Sequence, residues 1–254
     1  EIGVRLVGSE MCIRDRHTVT PVNGKLQVKL ECERPDVEIR YTMDGKEPTD
    51  RSPLYKSPLM VTGTQTIKCT TYRAGRQMGK TLTLPLVWNK ATAKPVLGNT
   101  QAGKILVNGI RGSLRQSDFE WHSWESSDSV AFTIDLQKKE SLRSVSVGCI
   151  TNYGMAAHKP ADIEVWVSND NRDYRKVSGK QFTDGEIFRE GTFKEDVVLD
   201  LNKEIGRYVR IIAKGAGECP ATHVRPGQEA RIYFDEVMIC LLYTSPSPRD
   251  GLLS

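Results

Sequence analysis

No apolar run in the chain approaches the roughly 18 residues that a membrane-spanning helix requires. No window of about a dozen residues repeats its apolar side chains at the helical spacing near 3.6, so long amphipathic helices are excluded. A (β/α)8 barrel would need some 200 residues of alternating strand and helix, and that alternation is missing. The chain has neither CxxC nor HExxH, so neither a zinc-ribbon spacing nor a metalloprotease helix is written in it. No Ser/His/Asp constellation is legible. The four histidines, His17, His122, His158 and His223, fall in expected loops or at an edge, where a lone imidazole is more often solvated than catalytic. Charge is nearly balanced, with 36 Lys+Arg against 32 Asp+Glu, a net +4 and a pI near 8.7. It is spread without a basic stripe, which argues against nucleic acid. Aromatics are 7% and hydrophobic residues 38%, enough for one or two cores but lower than a large single domain would favour.

The ends have an odd property. Cys240-Leu241-Leu242-Tyr243-Thr244-Ser245-Pro246-Ser247-Pro248-Arg249-Asp250 back-translates to DNA whose opposite strand, read in another frame, spells Leu6-Val7-Gly8-Ser9-Glu10-Met11-Cys12-Ile13-Arg14-Asp15. Two unrelated protein termini should not encode the two strands of one segment. The segment resembles a sequencing-library adapter, so residues 1–16 and 240–254 are expected to carry no fold. The natural portion then runs from His17 to Ile239, and a preceding signal peptide or catalytic domain would leave no trace in it. Four cysteines remain, Cys32, Cys69, Cys149 and Cys219. They allow one disulfide in each of two domains or free buried thiols, the second being favoured.

What is present is strand after strand. Residues 25–32 (KLQVKLEC) and 37–43 (VEIRYTM) alternate apolar and polar side chains, as half-buried strands do. Asp44-Gly45 follows as a hairpin signal. Residues 64–72 and 81–87 continue the pattern, with Pro48, Pro53, Pro58 and Gly63 marking loops. This is an expected small antiparallel sandwich over 17–88. Residues 89–103 (NKATAKPVLGNTQAG) read as a linker. Beyond it, strands are expected at 130–136, 142–150, 162–168, 195–201, 208–213 and 232–239, the spacing of a second sandwich or barrel over 104–239. The fold class is all-β.

The segment Ile39-Arg40-Tyr41-Thr42-Met43-Asp44-Gly45-Lys46-Glu47-Pro48-Thr49, continued by Ser52-Pro53-Leu54-Tyr55 and Thr66-Ile67-Lys68, resembles the C-terminal domain of chitobiase and β-hexosaminidase. That resemblance implies an immunoglobulin-like spacer without chemistry of its own. In the second domain four pieces resemble the coagulation factor V/VIII type C (discoidin) family. They are Phe132-Thr133-Ile134-Asp135-Leu136, Val165-Trp166-Val167-Ser168-Asn169-Asp170, Arg207-Tyr208-Val209-Arg210-Ile211 and Phe234-Asp235-Glu236-Val237. Asn108-Gly109-Ile110-Arg111-Gly112-Ser113 and Trp121 fit the version found behind bacterial glycosidases. This resemblance implies a discoidin-type jelly-roll β-sandwich that binds glycan through loops at one end.

Together they imply a non-catalytic tail of a secreted bacterial β-N-acetylhexosaminidase. The alternatives are a tail of an α-L-fucosidase or β-galactosidase, or a ligand-free structural or adhesin module. The implied partners are a terminal galactose or N-acetylhexosamine glycan and an upstream catalytic domain of the same parent chain, with no nucleic acid and no membrane span. The implied location is periplasmic, outer-surface or secreted. No catalytic residue is expected, because the one Asp-Glu pair, Asp235-Glu236, belongs to the discoidin signature. Calcium is the candidate cofactor, since hard cations gather carboxylate and carbonyl oxygens from a rigid loop; the alternative is that Glu236 is a strand residue paired with an arginine such as Arg210. Glu236 matches one element of the family's site, Asn108 stands where the family has Asp, and Asp118 would supply the missing charge. For sugar, an aromatic face and planar hydrogen-bonding groups are needed, and Trp124, Tyr153, His158, His223 and Arg225 are the candidates. Trp121 and Trp166 are expected in the core. The 215–231 stretch is a long loop of the kind that carries function.

Overall fold

The structure, a computed structural model, describes residues 17–32, 34–124 and 129–240; residues 1–16 and 241–254 of the expected tails lie outside these. Every sheet is antiparallel.

The first domain stacks two sheets. β1 (His17–Val22), β2 (Lys25–Leu30) and β4 (Leu59–Val61) form one; β3 (Glu38–Thr42), β5 (Gln65–Arg73), β6 (Arg76–Gln77) and β7 (Leu82–Leu86) form the other. Alternation explains the packing: Leu26, Val28 and Leu30 point inward from β2 while Lys25, Gln27 and Lys29 do not. They meet Ile67, Cys69, Leu84 and Leu86 across the core. Asp44-Gly45 does turn the chain, with Gly45 at φ 78° and the Asp44 carboxylate accepting the Lys46 N–H at 3.1 Å. It does not close a two-residue hairpin, because β3 pairs with β5 and the chain returns to its other edge only at Pro53–Tyr55. Pro48 and Pro53 lack the N–H groups a tight ladder would need.

The second domain follows through β8 (Val96–Leu97), α1 (Thr100–Ile105), β9 (His122–Trp124), β10 (Ser129–Asn152), β11 (Asp162–Ser168), β12 (Arg175–Gln181), α2 (Asp184–Ile187), β13 (Thr192–Lys214) and β14 (Ile232–Cys240). β10 and β13 each replace two expected strands. They pair along their whole lengths but break register between Asp135 and Glu140, where Gln137 (φ 67°), Asn202 (φ 49°) and Lys203 (φ 65°) bend the ribbon. The 129–135 half joins β8, β11 and β12 in one layer through β13; the 144–152 half joins β14 and β9 in the other. Phe132, Ile134, Val145, Val147, Val165, Ile211 and Phe234 fill the space between.

Residues 89–103 are not a free linker. Ala91, Ala93 and Ala102 are buried, Val96–Leu97 pairs with β10, and Asn99 caps α1 by accepting the Ala102 N–H at 3.0 Å. The small, polar composition that reads as a linker instead lets backbone pack closely. Trp166 does not enter the core either. On β11 it shares the outer face with Asp162 and Glu164, whereas Ile163, Val165 and Val167 point into the core. Its indole N–H donates to Glu164 at 2.8 Å. Trp121 is buried as expected, donating to the Ser113 carbonyl at 3.0 Å. The five described cysteines are free thiols, and burial pushes Cys69 up to about 12.

Candidate functional site

Two loops meet at one end of the second sandwich: residues 153–161, which follow β10, and residues 215–231, between β13 and β14. They bring together Tyr153, His158, His223 and Arg225. His158 and His223 are 1% and 4% exposed. His158 Nδ1 lies 3.0 Å from the Ile187 carbonyl, so it carries the proton and Nε2 is a lone pair. His223 Nδ1 accepts the Arg225 backbone N–H at 3.0 Å, which places its proton on Nε2. That proton is donated to His158 Nε2, 3.1 Å away. All four ring nitrogens are thus engaged inside the protein. Burial holds His158 down to about 4 and lowers His223, so the pair stays neutral near pH 7.

Above this pair lies the presented surface. The Tyr153 ring sits 3.9 Å from the His223 ring, and Phe188 closes the other side of His158 at 5.0 Å. Met155 and Val224 are exposed beside it. Arg225 ties the loops together, donating through Nε to the Gly154 carbonyl at 2.5 Å and through Nη1 to Gln228 at 3.2 Å. Each terminal nitrogen keeps a further N–H beyond these bonds. Trp124 is elsewhere. Its ring stacks on Phe132 at 6.1 Å and meets Phe234 edge-on at 5.2 Å, so it packs against the core from β9. Cys219, which the sequence offers no reason to single out, lies beneath the same loop with His158 and His223.

A second set of polar residues sits where the two domains join. Asp235 is fully buried and accepts Arg111 Nε at 2.8 Å, the Gly112 N–H at 2.9 Å and the Glu236 N–H at 2.6 Å. Burial opposes the charge of Arg111, but its bonds to Asp196 and Asp235 raise its pKa above the ordinary value. Glu236, also fully buried, accepts the Gly109 N–H at 3.0 Å and the Asn89 amide at 3.3 Å. Gly109, at φ 76°, runs so close to the first domain that a Cβ would stand 3.0 Å from the Val87 carbonyl. A cleft of about 590 Å³ opens nearby, lined by His17, Lys104, Asn108, Phe119, Glu120 and His122 among others. Depth and loop chemistry therefore do not coincide, and the loop end has the stronger claim because its aromatic and cationic groups are held by named bonds.

Residues 90–225, just over half of the chain, match the F5/8 type C domain. The chain belongs to the F5/8 type C family. Residues 20–83 match the chitobiase/beta-hexosaminidase C-terminal domain, so the two domains follow in the expected order. No curated protein matches the chain. Among solved structures it is similar to CpGH89CBM32-5 of Clostridium perfringens, in complex with GalNAc-β-1,3-galactose, at 16% identity and TM-score 0.31, covering 44% of this chain and 65% of that one. It is similar to the C-terminal domain of a chitobiase from Bacteroides fragilis at 12% identity and TM-score 0.29, covering 44% and 62%. It is similar to CpGH89CBM32-4 of Clostridium perfringens, in complex with GlcNAc-α-1,4-galactose, at 16% and 0.36, covering 60% and 94%. The chain thus spans just under two thirds of the first two.

Within this F5/8 type C domain the calcium candidates do not form a shared cage. Both Glu236 oxygens receive N–H donors, the Asn108 side-chain oxygen receives the Ile110 N–H at 2.8 Å, and Asp118 bonds the Ser113 hydroxyl in its own loop. Burial also pushes Glu236 well above its ordinary 4.5. The folded chain keeps a proton that the unfolded chain releases above 4.5, so stability is fully present below that value. It falls as pH rises toward the folded value, by at most about 1.4 kcal/mol per pH unit. Glu236→Gln should flatten this dependence. It should also cost about 1–3 kcal/mol, because the new amide nitrogen faces a donor. Asn89 cannot flip in response, since its oxygen already receives the Ala91 N–H at 2.8 Å and the Ile239 N–H at 3.2 Å. Urea midpoints measured from pH 4.5 upward check both; parallel profiles for the two proteins would refute the assignment of the pH dependence to Glu236.

Proposed function

We propose that this chain is a non-catalytic, glycan-binding accessory region of an exported bacterial β-N-acetylhexosaminidase, presenting terminal galactose or N-acetylhexosamine to the loop end of its F5/8 type C domain. The observation that carries the reading is the Tyr153–Arg225 platform. An aromatic face for the apolar side of a sugar ring and a planar cation for its hydroxyls are pre-positioned on a locked histidine pair. Pre-positioning matters because a single exposed sugar makes few contacts and must offset the ordering costs of binding. In this reading Tyr153 and Arg225 meet the ligand, and His158 and His223 hold them in place. The order of the two matched domains supports the choice of parent enzyme. The domain junction supports a positioning role. Val87 of the first sandwich donates its N–H to the Gly109 carbonyl at 2.9 Å and the connector's Asn89 donates to Glu236, so weak binding would raise the local concentration of glycan beside an attached catalytic domain.

A glycan array followed by NMR titration tests this. N-acetylgalactosamine or galactose should perturb Tyr153 and Arg225 signals. Tyr153→Ala should weaken binding by about tenfold, or about 1.4 kcal/mol, with an unchanged circular dichroism spectrum. A blank array with a blank titration would retire the glycan reading and leave a spacer.

A further inference from the structure

His158, Cys219 and His223 are contributed by two separate loops, yet their ligand atoms all lie within 4.8 Å of one another and all three residues are buried. Among the described residues this is the one convergence of its kind. The two Nε2 atoms stand 3.1 Å apart. Two imidazole ligands at roughly 2.0–2.1 Å from a tetrahedral zinc ion stand roughly 3.3 Å apart, so this edge of a tetrahedron already exists. His158 donates Nδ1–H to the Ile187 carbonyl at 3.0 Å, the outer bond that typically orients a metal-binding imidazole. The Cys219 backbone is pinned on both sides, its N–H donating to Gln228 at 2.8 Å and its carbonyl accepting Gly227 at 2.9 Å. We propose that His158, His223 and Cys219 form a buried site for one zinc-class cation, in which the ion takes the place of the proton now shared between the two imidazoles.

The protons balance. In the metal-free chain His223 Nε2–H is donated to the His158 Nε2 lone pair. On binding, the His223 proton moves to Nδ1, giving up the bond from Arg225 N–H. The Cys219 thiol releases its proton to solvent and becomes a thiolate, the form that binds metal. One proton therefore leaves per ion. Three protein ligands leave the fourth tetrahedral position to water. Thiolate with two imidazoles favours zinc, or cobalt as its spectroscopic substitute, over calcium or magnesium, which seek oxygen. This inference does not depend on glycan binding.

The test uses the full chain, stripped with EDTA, desalted and titrated with cobalt(II) or zinc(II) alone. One equivalent should be retained, one proton should be released per ion, and cobalt should give a sulfur-to-metal charge-transfer band. Cys219→Ser should abolish that band, while a chain with Cys12→Ser and Cys240→Ser should keep it. If Cys219→Ser fails to fold, imidazole 15N shifts in the wild-type chain decide: zinc should move His158 and His223 Nε2. No retained ion, unmoved Nε2 signals, or a band that persists in folded Cys219→Ser would overturn the site.

Discussion

Asp235→Ala should destabilise the F5/8 type C domain by about 3–5 kcal/mol, read as a large drop in the urea midpoint. The carboxylate is fully buried and satisfies three donors at once: Arg111 Nε, the Gly112 N–H and the Glu236 N–H. Its removal would leave Arg111 Nε and two backbone N–H groups without their acceptor, while Arg111 Nη1 and Nη2 keep Asp196. The neighbouring backbone is built around it. A Cβ on Gly148 would stand 1.9 Å from Asp235 Oδ1, and the β10–β14 register shifts between Val147 and Cys149 where that glycine sits. Asp196→Ala is the control. It removes only the 40% exposed partner of Arg111, so its effect should be about 0–1 kcal/mol. Equal losses for the two variants would show that the buried carboxylate has no special role.

The second large effect separates two tryptophans. Trp124→Ala should cost about 3 kcal/mol, the low end for a large aromatic, since the half-buried indole packs against Phe132 and Phe234 at the edge of the core. Trp166→Ala should cost roughly 1–2 kcal/mol, because that ring lies on the outer face of β11, where its indole N–H bonds Glu164. Thermal melts of both variants check the order. A Trp166 variant that melts lower than the Trp124 variant would reverse the assignment of the two faces. The sequence carried part of this answer. Alternation in 162–168 puts Ile163, Val165 and Val167 on one face and so puts Trp166 on the other. For Trp124 it offered no such guide, because β9 is only three residues long and gains its place by pairing with Ile232–Phe234.

Local pattern sufficed for the all-β class, the order of the two sandwiches and most strands, because alternation and turn residues act over a few neighbours. β2, β5, β7, β11 and β14 fall close to where the pattern puts them. β12 (RKVSGKQ) escaped because an edge strand needs few apolar residues, and β1 and β4 because each is short or flanks the expected tail. Tertiary structure alone decided three things. It fused four expected strands into β10 and β13, since a bend at Gln137 or at Asn202-Lys203 has no strong local signature. It turned 89–103 from a linker into a packed connector whose Asn89 reaches Glu236, 147 residues away. It also set His158 against His223, 65 residues away, with Cys219 beneath them. Such contacts depend on the register of whole strands and on which loops that register brings to one end, and no local pattern in the chain encodes them.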